Sequence, residues 1–205
     1  MVAGGLVRPG GRNADIGRRV VSALAHELRE RPFDEVTMTG LAARSGVSRA
    51  TVHRRWADPA AVLTEATDQV LRRRLSRGSG TTSLVAPDPD PRSTDLVVRH
   101  LRRLVLWLVD PDVRGLLAAA AGRAAHDELL SRALARAWQH ERDDLGRVLR
   151  QTIPTAARSD LDGAATGLLV AALGRAVSDD RSPFGPWLGR QVRSTIGGLV
   201  AVTRA

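Results

Sequence analysis

Apolar residues fall at helical spacing along most of the chain. Ile16, Val20, Leu24 and Leu28 recur every fourth position after Asn13, a residue suited to capping, and the pattern stops at Pro32. A first helix is predicted there. Phe33 and Val36 follow as buried anchors of a connection, and Thr37 then caps a very short second helix that carries Leu41 and Ala42 inward and ends at Gly46. Ser48 opens a third helix, with Val47 and Val52 at the spacing of a hydrophobic staple. Asp58 caps a fourth, with Pro59 in the first helical position, where its missing N–H costs nothing. Ala61, Val62, Ala66 and Val70 give this fourth helix an inner face, and it should run to about Arg74.

The pattern breaks over residues 76–93, SRGSGTTSLVAPDPDPRS, whose Gly, Ser, Pro and Asp mark a flexible loop or linker. Helical periodicity then resumes in Asp95 to Val109, Val113 to Ala125, Asp127 to about Gln151, Asp160 to Val177 and Pro186 to about Val202. No alternation of β-branched residues and no fixed repeat competes with it. The expected fold class is all-α. It comprises a disordered tail (1–12), a three-helix helix-turn-helix domain (13–57), a connecting helix (58–75), the linker (76–93), and a second helical domain (94–205).

The helix-turn-helix reading rests on short helices joined by a tight glycine turn in "LAARSGVSRATVHRRW". At about 100° per residue, Val52 and Trp56 share the inner side of the third helix. Ala50, Thr51 and Arg54 occupy the opposite arc, with Arg49, His53 and Arg55 beside it. Such a rod has one buried edge and a slim polar face, the shape that enters a major groove about 12 Å wide. Free N–H groups at its start favour a phosphate, and the hydroxyls of Thr37, Thr39 and Ser48 can donate to others. Arg49 and Arg54 suit either guanine edges or backbone, His53 suits either, and Arg55 suits DNA or an intramolecular partner.

Charge strengthens this reading by its position. The 205 residues carry a net charge of +9, and no lysine is present, so every strong base is an arginine. Residues 1–77 hold 14 arginines against 8 acidic residues, while the remainder holds 17 against 14. The excess therefore gathers at the front, as expected for a nucleic-acid partner. Cysteine is absent, which excludes disulfides and thiolate chemistry. The start, MVAGGLVRPGGR, is too short and glycine-rich for the apolar core of a secretory signal, and no apolar run reaches membrane-spanning length. A cytoplasmic protein with no membrane contact is expected.

From about Arg18 to Leu63 the chain resembles the DNA-binding domain of TetR/AcrR-type transcriptional regulators. Thr37, Leu41, Ala42, Gly46, Val47, Ser48, Arg49, Thr51, Val52, Arg54, Arg55 and Trp56 stand in register with that family's usual text. The resemblance implies that Thr37, Thr39, Ser48, Arg49, Ala50, Thr51, His53 and Arg54 lie at double-stranded DNA, with Arg55 beside them. Two positions depart from the family: His53 stands where tyrosine is usual, and Pro59 where a phosphate-reaching lysine is common. The resemblance also implies a regulator, commonly a repressor, that binds a palindromic operator as a homodimer and leaves it when a small molecule enters the carboxy-terminal domain.

In that domain "LVVRHLRRLVLWLVD" suggests a pocket. His100, Leu104, Trp107, Leu108, Leu117 and Trp138 are the candidates for it, walls that suit a largely apolar effector. The last two helices are rich in small and apolar residues and suit a two-fold helical interface, with Ala164, Leu168, Ala171, Ala172, Trp187, Val192, Ile196 and Leu199 as candidates. Catalysis is the competing class. His100, His126 with Asp127 and Glu128, and His140 with Glu141 form no triad and no metal spacing, so neither catalytic residues, metal nor cofactor are expected. A helical ligand-binding protein without DNA function, or an activator of the same fold, is the alternative.

Overall fold

The computed structural model describes residues 11–78, 92–177 and 184–204. Nine α-helices occupy them: α1 (Gly11–Glu30), α2 (Met38–Ser45), α3 (Arg49–Arg55), α4 (Pro59–Gly78), α5 (Arg92–Leu108), α6 (Pro111–Arg123), α7 (Glu128–Thr152), α8 (Arg158–Val177) and α9 (Phe184–Arg204). A 3-10 turn at Phe33–Glu35 links α1 to α2, and no strand occurs among the described residues. The all-α expectation holds. Most of the tail and linker expected at 1–12 and 76–93 lies outside the described residues, although Gly11 and Arg12 already belong to α1, and residues 76–78 to α4.

The chain divides into two compact units, Met1–Leu71 with Pro111–Ala133, and Arg72–Asp110 with Leu134–Ala205. The boundaries thus fall inside α4, between α5 and α6, and inside α7.

In the first unit Val20 and Leu24 of α1, Leu41 of α2, Val52 of α3, and Val62, Leu63 and Ala66 of α4 are fully buried. Ile16 and Leu28, at the two ends of the α1 stripe, are half-buried, as is Phe33. α6 belongs here too, contributing the buried Leu116 and Ala120, whereas the periodicity had grouped it with residues 94–205. Gly115 explains the packing. A Cβ there would stand 3.2 Å from the Leu28 Cβ, so glycine is what lets α6 approach α1 this closely. Arg29 reaches Asp112 across the same contact, and Arg123 lies over the Phe33 ring. On the other side of α1 the buried carboxylate of Glu27 accepts from Arg44 Nε at 2.7 Å and pairs with Arg31 Nε at 2.9 Å, which fastens α2 to α1.

The second unit has its own core. Val97, Leu101, Leu104 and Val105 of α5 meet Leu145 and Leu149 of α7, Leu161, Leu168, Leu169 and Ala172 of α8, and Leu188, Val192 and Leu199 of α9. One polar cluster is set within this unit. Arg74, near the end of α4, donates from Nε and Nη2 to the two carboxylate oxygens of Glu141 on α7, at 2.7 and 3.0 Å. Both side chains are nearly buried, at 14% and 12% exposed.

Burial pushes the Glu141 carboxyl up, but His100 and Arg74 beside it outweigh that and bring it from 4.5 to about 2. His100 Nε2, at 3.6 Å, stands outside hydrogen-bond range, so the Arg74 fork is the firmer of the two contacts. Because the folded value lies below the unfolded one, the stabilisation is complete above pH 4.5 and is lost as pH falls toward 2. Glu141→Gln should therefore lower the unfolding free energy at pH 7 by about 3 kcal/mol, with the gap from wild type closing between those two pH values. Urea titrations across that range measure it, and a gap independent of pH would contradict the assignment.

Candidate nucleic-acid interface

Local chemistry shapes the α2–α3 unit. Thr37 Oγ1 accepts from Gly40 N at 3.0 Å and starts α2, and Ser48 Oγ accepts from Thr51 N at 3.3 Å and starts α3. Between them Gly46 takes φ 62°, ψ 25°, the left-handed conformation, and its N–H closes onto Ala42 and Ala43 carbonyls. That single residue turns the chain. Arg19 of α1 then clamps the turn, with Nε donating to Ser45 O and Nη2 to Gly46 O, both at 2.9 Å.

The inner edge of α3 is narrow. Val52 is fully buried and Trp56 is 3% exposed. Trp56 carries a polar tie as well, since Nε1–H donates to Glu65 Oε2 of α4 at 2.9 Å. Glu65 Oε1 accepts from Arg55 Nη2 at 2.7 Å and from Gln69 at 3.0 Å, and the Arg55 guanidinium lies 4.7 Å from the Trp56 ring centroid. Arg55 is thereby engaged by an intramolecular carboxylate and ring, although its residue remains exposed. Gly17 of α1 packs against the pair, because a Cβ there would stand 3.0 Å from Arg55 Nη2.

With that edge fixed, Ser48, Arg49, Ala50, His53 and Arg54 are exposed and Thr51 is half-buried, while Thr37 and Thr39 are exposed at the start of α2. Six of these eight thus lie at or within α3, and Thr37 and Thr39 at the start of α2. Among the described residues Arg49 and Arg54 have no ion-pair partner, and the Ser48 and Thr51 hydroxyls pair with each other at 2.8 Å. A groove of about 440 Å³ between α1 and α3 is lined by Ile16, Thr51, Arg54 and Arg55. Asp58 Oδ1 caps α4 by accepting from Ala61 N at 2.8 Å, with Pro59 as its first residue.

The other candidates are distributed differently. His100 and Leu104 are buried, and Trp107, Leu108 and Trp138 are half-buried against the second unit's core, but Leu117 lies on α6 in the first unit. Of the residues assigned to a subunit interface, Leu168, Ala172, Val192 and Leu199 are buried in the chain's own core, while Ala164, Ala171, Trp187 and Ile196 are half-buried beside it. The outward side of α8 and α9 instead presents Gly163, Gly167, Gly174, Gly197 and Gly198, with Val170 and Val202 at 56% and 63% exposed. Among the described residues no group of three or more His, Asp or Glu is arranged to hold a metal ion, and no helix is long and apolar enough to cross a membrane.

A small bundle that supports a slim, cation-bearing helix behind a clamped glycine turn is a helix-turn-helix DNA-binding domain. Residues 20–66 match the family described as bacterial regulatory proteins, tetR family. An uncharacterized HTH-type transcriptional regulator of Mycobacterium tuberculosis, Rv2250c, is 40% identical over 76 residues, which are 35% of this chain and 40% of the relative. The match thus spans well under half of that curated relative. Solved structures agree along nearly the whole chain. A TetR transcription regulator from Haloarcula marismortui is 19% identical with a TM-score of 0.67, over 92% of this chain and 98% of that one. MexZ, a repressor responsible for antibiotic resistance in Pseudomonas aeruginosa, is 18% identical with a TM-score of 0.64, over 90% and 94%. These likenesses show the fold, an amino-terminal helix-turn-helix domain followed by a helical domain.

Arg19 and Glu65 are the positioning residues that periodicity did not single out. Arg19→Met should cost about 1 kcal/mol, since two hydrogen bonds to turn carbonyls, one part-buried and one exposed, are lost. The melting temperature should fall while helix content is kept. An unaltered melting temperature would remove Arg19 from the turn.

Proposed function

We propose that this chain is a ligand-responsive transcriptional regulator that binds a palindromic operator as a homodimer. The observation that carries the reading is the exposed α3 face. Arg49 and Arg54 stand there without intramolecular partners, on a helix whose other edge is fixed by Val52 and Trp56. Thr37, Thr39, Ser48, Arg49, Ala50, Thr51, His53 and Arg54 form the proposed contact set. Arg55 supports α3 through Glu65 rather than reaching DNA. With Pro59 in place of a lysine at the start of α4, phosphate contact falls to Arg54 and to the hydroxyls and N–H groups at the helix starts.

Dimerisation is supported by the outward stripe of α8 and α9. Its glycines leave room for a partner helix, and Val170 and Val202 supply exposed apolar surface. Two-fold symmetry would place two α3 helices in successive major grooves, one or more helical turns apart. An effector in the second unit would act through α4, whose residues contribute to both units. Repression, release by the effector and a cytoplasmic location follow the family's habit and are part of the same proposal.

Selecting bound DNA from a random library should recover an inverted repeat. Arg54→Ala should weaken binding to it and reduce the slope of log K against log[salt] by about 1, because one fewer phosphate is neutralised. Failure to enrich any sequence, with no salt-dependent retention on DNA, would favour the helical ligand-binding alternative.

A further inference from the structure

The Arg74–Glu141 pair resembles a bound ligand more than a surface salt bridge. Glu141 stands in the middle of α7, and a guanidinium grips its carboxylate with two donors, at 2.7 and 3.0 Å. The same guanidinium faces the Trp107 ring of α5, 5.6 Å from its centroid. A carboxylate beside an indole face is the combination by which proteins take up organic cations. Next to it, His100 Nε2 is buried without a hydrogen-bond partner, in a residue 8% exposed. That atom lies 3.6 Å from Glu141 Oε2, beyond hydrogen-bond range, and is placed to meet a polar group on the same ligand.

We propose that Glu141, Trp107 and His100 form a binding site for an organic cation with a guanidinium-sized head, occupied in this structure by the chain's own Arg74. The expected effector thereby gains a positive charge beyond the apolar character inferred from the pocket-wall residues.

Charge conservation decides between a cation and an anion. An anionic ligand would have to evict Glu141, whose carboxyl stays ionised down to about pH 2, and leave a buried carboxylate unpaired. A cation replaces Arg74 and leaves the buried charge as it was. Arg74 is also the partner able to leave, since it sits one turn from the end of α4 on a long flexible side chain. Glu141 is short and set between turns of a 25-residue helix. The regulatory consequence rests on the function proposed above. Departure of Arg74 unfastens the last turn of α4 from α7, and the earlier part of α4 supplies Val62, Leu63 and Ala66 to the core behind α3.

The test is chemical rescue in the full chain. Arg74→Ala should melt several degrees below wild type, n-butylguanidinium should restore much of that loss, and it should bind Arg74→Ala at least tenfold tighter than wild type. The double variant Arg74→Ala, Glu141→Gln should show no rescue, and n-pentanoate should do nothing to either. Equal melting shifts in the single and double variants, or rescue by pentanoate, would overturn the site. If Arg74→Ala does not fold, tryptophan fluorescence during butylguanidinium titration of wild type, against Glu141→Gln, carries the same test. There saturable quenching confined to wild type supports the site, and its absence overturns it. Operator affinity of wild type with and without the probe separates the two readings. Saturable binding with unaltered operator affinity would keep the site and overturn its regulatory role, whereas absence of binding would overturn the site and leave the DNA-binding function standing.

Discussion

A helix of seven residues is too short to hold itself in water, so α3 exists only because Val52 and Trp56 are pinned beneath it. Everything proposed for DNA depends on that constraint. Two side chains four positions apart, with Val52 fully buried and Trp56 nearly so, fix the helix about its own axis, and the remaining positions have no choice but to face away. The indole N–H adds direction to the burial. By donating to Glu65 it joins the exit of α3 to α4, and the same carboxylate draws Arg55 back across the ring. The result is a thin rod with its cations selected by geometry.

That selection shows why net charge alone is a poor guide. Arginine is the chain's sole strong base, yet its copies do different work. Arg19 holds a turn, Arg44 ties α2 to the buried Glu27, Arg55 braces Trp56 and Arg74 grips Glu141. Each of these is already satisfied by a carbonyl or carboxylate. Arg49 and Arg54 are different, because no described acid lies within reach of them. On α3 an anionic partner therefore finds two exposed cations that the fold has not already engaged.

The parts legible in the sequence are those whose partners are near in sequence. Thr37, Ser48 and Asp58 each cap a backbone N–H three residues ahead, and Gly46 reverses the chain in place, so the punctuation of α2, α3 and α4 could be read directly. The rest depends on distant pairs. Arg19 meets Ser45 across 26 positions and Arg44 meets Glu27 across 17, and neither leaves a periodic trace. Gly115 against Leu28 is a similar case, and without it α6 reads as one more helix of the second unit. On α8 the difficulty is composition. Small and apolar residues surround the helix, so periodicity could not tell that Leu168 and Ala172 would fill the core while Gly163, Gly167 and Val170 face outward. The pocket-wall residues fared likewise, since apolar spacing marks His100, Leu104 and Trp107 as inward but is silent on the Arg74–Glu141 pair beside them.

Exchanging the outward residues of α3 tests the central claim most directly. Arg49, Ala50, His53 and Arg54 would be replaced together by a different polar set, with Val52, Trp56 and Glu65 left intact, and the bound sequences selected again from random DNA. The account predicts an unchanged melting temperature and a new preferred half-site of the same symmetry. Recovery of the original half-site by the exchanged protein would show that another surface reads the DNA.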